Sequence, residues 1–404
     1  MVSATVGWLV VSPTNIVALF HHWTTAQMKM SRESRLWVVS MVFATFALAL
    51  ANANERPNPT VLARRIASLD TNNLFAVSYQ DPRGIPQIYL VSPDGESRVQ
   101  LTSNSFACTR PMWSPDGRRI VYIGHGNDQV RIINANGTED RALTEYRADG
   151  SAINTTPVWS PDGSEIFYAA GVRTVPDPRV WPNTHIWAVR PDGTGRRQLT
   201  HGDFADVAPS FSPDGMHLVL ASSRNGGLFH IWKMRSDGKN PVQLTWSRID
   251  PSTGYPLEQN VPAWSPDGKQ IAYYNGVEMS HLSLQALQGK GPTPDDLKLA
   301  RTCYINLMNA DGSNPHQLVG GDDPAWSPDC SHILFPGSNN NPLKPGVGII
   351  RTDGAGARLL ISTGAHAPSG VSCFPQTGSL RNYRRNSENP QRTSENPSLT
   401  NQMQ

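Results

Sequence analysis

Five near-identical turns constrain this chain more than any bulk property. Trp-Ser-Pro-Asp-Gly stands at Trp113–Gly117, Trp159–Gly163 and Trp264–Gly268, with variants at Phe211–Gly215 and Trp326–Cys330. Successive copies begin 46, 52, 53 and 62 residues apart, against the roughly 40 to 50 residues of a propeller blade, so some connections carry extra length. An apolar stretch such as Ile120-Val121-Tyr122 follows each copy. An alternating strand such as His230–Met234 then runs to a second turn at Asp237-Gly238, and Gln-Leu-Thr closes the unit, as at Gln198–Thr200 and Gln243–Thr245.

Each turn residue has a backbone reason. Proline presets φ, the Asp carboxylate can accept from the backbone two residues on, and Gly takes the left-handed position of a hairpin loop. Asp116, Asp162, Asp214, Asp267 and Asp329 therefore read as turn residues, as do Gly117, Gly163, Gly215 and Gly268. Trp113, Trp159, Trp264 and Trp326, with Phe211 in the same place, read as large plates that fill the space between neighbouring blades.

Each unit thus predicts four antiparallel strands. A degenerate unit, Leu74 to Thr102, precedes the five copies and makes six. The expected fold is all-β: a six-bladed propeller of four-stranded antiparallel blades over residues 74–378, monomeric. One inner strand is left over at His366–Gly378, with Phe374 in the Trp place, and pairing it into the first blade would remove the open sheet edges. The competing source of that strand is Ile66–Asn73.

The ends of the chain read differently. Arg32 and Arg35 precede the apolar run Leu36–Leu50, and Ala51-Asn52-Ala53 forms a small-residue exit; together they predict an export leader within residues 1–53. A run of fifteen residues falls short of the roughly 20 that span a bilayer. Met28 or Met30 could each start such a leader, so residues 1–27 read as an upstream extension. Residues 54–73 form a short segment before the first blade. Residues 379–404 are polar, echo Ser387–Pro390 at Ser394–Pro397, and are expected to be a disordered tail. The expected location is periplasmic or secreted.

Charged residues make up 17% of the chain and the net charge is +2, which leaves no basic field for gripping phosphates and argues against a nucleic-acid partner. The four cysteines, Cys108, Cys303, Cys330 and Cys373, contain no C-x-x-C pair. An oxidising compartment would permit disulfides, in pairings that spacing does not choose.

The WSPDG turns, the Ile-x-Tyr strands after them and the Gln-Leu-Thr ends resemble the TolB-type propeller repeat of Gram-negative periplasmic proteins. The resemblance covers residues 74–378. It implies a protein-binding role in the cell envelope, because TolB grips a lipoprotein in its central funnel. TolB carries a separate α/β domain before its propeller, whereas only Asn54–Asn73 stands between the leader and the first blade here. The same repeat also occurs in front of serine peptidase domains and in some sugar lyases.

Motifs for chemistry are missing from the sequence: it contains no Gly-x-Ser-x-Gly elbow, no His-Glu-x-x-His and no Walker loop, so no cofactor or metal is expected. Specificity is expected on the face away from the SPDG hairpins, where connections vary. Candidate partner-binding residues there are Arg110, Tyr146, His201, Asp203, Asp206, Tyr255, Glu258, Asp322, Asp323 and His366. Two insertions share that face, 171–184 and 276–302. The expected partner is a protein or peptide of the envelope. The alternative is a polysaccharide lyase, which would require His201, His366 and Arg110 to converge in one pocket.

Overall fold

In the computed structural model the described residues are 62, 64–66, 74–125, 128–144, 152–172, 183–249, 256–277, 303–337, 346–362 and 371–373. They form six four-stranded antiparallel sheets. Blade 2 comprises Cys108–Trp113, Arg119–Gly124, Gln129–Asn134 and Arg141–Ala142, from inner to outer strand. Blades 3 to 6 repeat this order, their inner strands being Ala152–Trp159, Asp206–Phe211, Leu257–Trp264 and Ala325–Trp326.

Blade 1 takes Phe75–Gln80, Pro86–Val91 and Arg98–Gln100 from the start of the propeller and its inner strand, Val371–Cys373, from the end. Phe75 faces Cys373, Ala76 faces Ser372 and Val77 faces Val371. Ring closure by the C-terminal segment is therefore what forms. Phe374 and the worn turn after it lie outside the described residues.

The turns explain why the motif repeats. In all six Ser-Pro-Asp turns, including Ser92-Pro93-Asp94 of blade 1, the Ser hydroxyl donates to the Asp Oδ1 at 2.5–2.7 Å. The same Oδ1 accepts the backbone N–H two residues on at 2.9–3.1 Å. The Ser oxygen in turn accepts the N–H five residues on at 2.9–3.0 Å. Ser, Asp and Gly thus form one closed network, and Cys330 takes the Gly position of blade 6 at a φ of 60°. At the other end of the unit, the hydroxyls of Thr102, Thr144, Thr200 and Thr245 accept a backbone N–H of the third strand at 2.8–3.1 Å.

Apolar clusters fill every seam of the ring. One joins blades 1 and 2, one joins 2 and 3, a larger one runs through 3, 4 and 5, and two more join 5 to 6 and 6 to 1. The Trp plates lie in these seams. Trp159 Nε1 donates to Met112 O of the preceding blade at 3.3 Å, and Trp326 Nε1 to Ala263 O at 2.9 Å. Leu62, in a helical turn ahead of the first blade, is buried in the seam between blades 1 and 2. A Cβ on Gly137 would stand 2.2 Å from Leu62 Cδ2, so a glycine there leaves room for the segment to dock.

Candidate functional site

The inner strands share a break that their sequences hardly advertise. In blades 2 to 5 the pairing with the second strand slips between Thr109 and Met112, Thr155 and Val158, Val207 and Ser210, and Asn260 and Ala263. A left-handed residue followed by proline fills each slip: Arg110-Pro111, Thr156-Pro157, Ala208-Pro209 and Val261-Pro262, with φ between 45° and 52°. Blade 6 has the same pair in Asp323-Pro324, at a φ of 40°. A side chain in this region costs about 1–2 kcal/mol per residue, and strain repeated around one ring marks a place where shape is being held.

These five pairs line one cavity of about 100 Å³, open to solvent on the ring axis, together with Met112, Val158, Ser210 and Ala263. Proline suits this position because the inner strand is a sheet edge, where a missing N–H breaks no ladder and discourages an added strand. Neighbouring inner strands are stitched by hydroxyls. Ala208 N–H donates to Thr156 Oγ1 at 3.1 Å, Trp264 N–H to Ser210 Oγ at 3.0 Å and Trp113 N–H to Ser372 Oγ at 3.2 Å.

One ion pair crosses the throat. Arg110 Nη1 lies 2.8 Å from Asp323 Oδ1, joining the bulges of blades 2 and 6, which flank the closing blade 1. Next to it, the Asp322 carboxyl is pushed up to about 7 by burial and by the neighbouring Asp323 carboxylate, with Arg110 opposing. The Cys303 thiol, which contacts Tyr274 Oη at 3.3 Å, is also raised by burial.

The remaining sequence candidates are dispersed. Asp206 and Glu258, candidate partner-binding residues by sequence, are both buried. Arg224 Nη2 holds both Asp206 oxygens at 2.8 and 2.9 Å while its guanidinium lies over Phe204 and Trp232. Glu258 accepts the Phe229 N–H at 2.9 Å. Inward-facing positions at the start of inner strands claimed these two, and loop composition alone does not show that. His201 and Asp203 are exposed in the connection from blade 3 to blade 4, with the His201 ring 6.4 Å from that of His185. Burial holds the His185 imidazole below its ordinary range. Tyr146, Tyr255 and His366, and most of both insertions, lie outside the described residues.

Thr156, Ala208 and Val261 were not singled out by residue chemistry, because none carries a charge or a nucleophile. Their signal was positional: a proline two residues before each Trp or Phe of the turn. Among the described residues, no group of three or more His, Cys, Asp or Glu side chains is placed to hold a metal ion.

The fold and its proline-ringed throat define a six-bladed β-propeller built from WSPDG-type repeats. A TolB homolog of Chlorobium luteolum is 32% identical over 157 residues, covering 38% of this chain and 32% of its own length. An uncharacterized protein of Agrobacterium fabrum is 30% identical over 271 residues, 65% of each chain. This chain therefore spans about a third and just under two thirds of those relatives. TolB from Acinetobacter baumannii shares the fold, with a TM-score of 0.56 at 16% identity over 76% of this chain and 67% of that one. No family model matches. The chain is a TolB-like β-propeller.

Proposed function

We propose that this propeller is a non-catalytic protein-binding module of the cell envelope, exported by its leader, whose polypeptide partner seats over the funnel on the loop face. One observation carries the reading: the two faces differ in how far their connections can vary. Between inner and second strands of blades 2 to 6 the hairpins are five or six residues long and are occupied by the same hydrogen-bonded turn. Between second and third strands the connections run from four residues, 125–128, to twenty-six, 278–303. Only the second set can encode specificity. On the same face, Trp246 and Ile249 stand 66% and 63% exposed in the connection from blade 4 to blade 5, and exposed apolar groups of this kind favour a protein partner. Likeness to TolB and the apolar leader support an envelope location; among the described residues no helix is long and apolar enough to cross a membrane.

The test replaces residues 278–300 with a short Gly/Ser linker and, separately, makes Trp246→Ala and the double change Asp322→Asn, Asp323→Asn. Partner capture by cross-linking in the native envelope is read beside thermal stability. Capture is expected to fall in the linker and Trp246 variants with melting kept. Unchanged capture in all three, or loss only when the SPDG face is altered, would overturn the reading.

A further inference from the structure

We propose that the throat of the channel binds a primary ammonium on an aliphatic stem, such as a lysine side chain of a partner polypeptide, and that Arg110 occupies this site when it is empty. The inference concerns the throat and stands whether or not the loop face recognises a protein.

The lining is short of donors. An ordinary sheet edge offers alternating N–H and C=O groups, but five of the lining residues are prolines, Pro111, Pro157, Pro209, Pro262 and Pro324, and carry no N–H. The N–H groups of Ala208 and Val261, which precede two of them, are already given to Thr156 Oγ1 and Asn260 Oδ1. Oxygen acceptors are not reduced in the same way, so the throat favours a ligand that donates.

Charge points in the same direction. Arg110 is the single cation among the lining residues and Asp323 the single anion. The two halves of the pair are held unequally, with the Asp323 side chain 14% exposed and Arg110 36%. A short carboxylate on a constrained bulge is the fixed element, and a guanidinium on a long stem is the one free to leave. Asp322, next in the chain, is pushed up first by burial and then by the Asp323 carboxylate, and the second of these effects is the one an added cation would relieve. An anionic ligand would have to take Arg110 away and leave Asp323 uncompensated, whereas an incoming ammonium replaces one cation with another. The wall away from the pair is formed by Thr156, Ala208, Val261 and Ala263, small enough to leave room for methylene groups.

The experiment titrates the folded chain with n-butylammonium chloride and, in parallel, with sodium butyrate, following amide and methyl NMR shifts. Three variants accompany it. Arg110→Gly and Asp323→Asn keep residue types that accept a left-handed backbone, and Ala263→Leu fills the cavity without touching the ion pair. Butylammonium is expected to bind and butyrate not to. Arg110→Gly should tighten amine binding about tenfold, and Asp323→Asn should weaken it about tenfold, the size of one charge-assisted hydrogen bond. Ala263→Leu should abolish binding, and this arm decides the matter if Asp323→Asn does not fold. Equal binding of butyrate, or amine binding unaffected by Asp323→Asn or by Ala263→Leu, would overturn the proposal.

Discussion

Trp159 offers the sharpest test of how the blades hold together, because the chain itself supplies the control: blade 4 carries Phe211 where blades 2, 3, 5 and 6 carry Trp. Trp159 is 4% exposed in the seam between blades 2 and 3. Its Nε1 donates to Met112 O at 3.3 Å, and the Arg119 guanidinium lies 4.9 Å from its ring centroid. Trp159→Phe keeps a plate in the seam but deletes the hydrogen bond, about 1 kcal/mol net. It also weakens the cation–π contact, about 0.5–1 kcal/mol. The small void left by the lost ring adds on the order of 1 kcal/mol. The expected loss is therefore about 2–3 kcal/mol. Trp159→Ala empties the seam, and a loss of about 3–5 kcal/mol is expected. Urea unfolding followed by far-UV circular dichroism measures both, with the slope checked for constancy. A Phe variant as stable as the parent, or one as damaged as the Ala variant, would refute the idea that the plate acts through both its volume and its polar edge.

Three further outcomes follow from the geometry. The Ser327 hydroxyl, against a smaller opposing effect of burial, holds the Asp329 carboxyl down at about 2. A folded value below the unfolded one of about 4 gives stability that is present above about pH 4 and is lost as pH falls toward 2; urea midpoints at several pH values should show Asp329→Asn flattening that acid limb. Arg224→Ala should cost about 3–5 kcal/mol by leaving the buried Asp206 carboxylate unpaired, and a urea midpoint close to the parent's would show that the pair is dispensable. Cys330→Gly should raise stability by about 1 kcal/mol, since Cys330 sits at a φ of 60° where the other copies use glycine; a lower melting temperature would indicate that the Cys330 side chain contributes more by packing than its backbone loses by strain.

The turns, the number of blades and the closing strand were legible because their causes are local. A Ser-Pro-Asp-Gly segment makes all its defining hydrogen bonds within six residues, so the sequence alone determines the hairpin wherever it recurs, and six such units leave one strand over for closure. Arg110 and Asp323 could be named as candidates, but not as partners: they are 213 positions apart and meet only because blades 6 and 2 both flank blade 1. Asp206 and Glu258 look like any loop carboxylates until the packing of neighbouring strands removes them from water. The throat is the clearest case. Each X-Pro pair by itself is an ordinary dipeptide, and only closure of the ring turns five of them to one axis, where missing N–H groups and left-handed bulges add up to a single site.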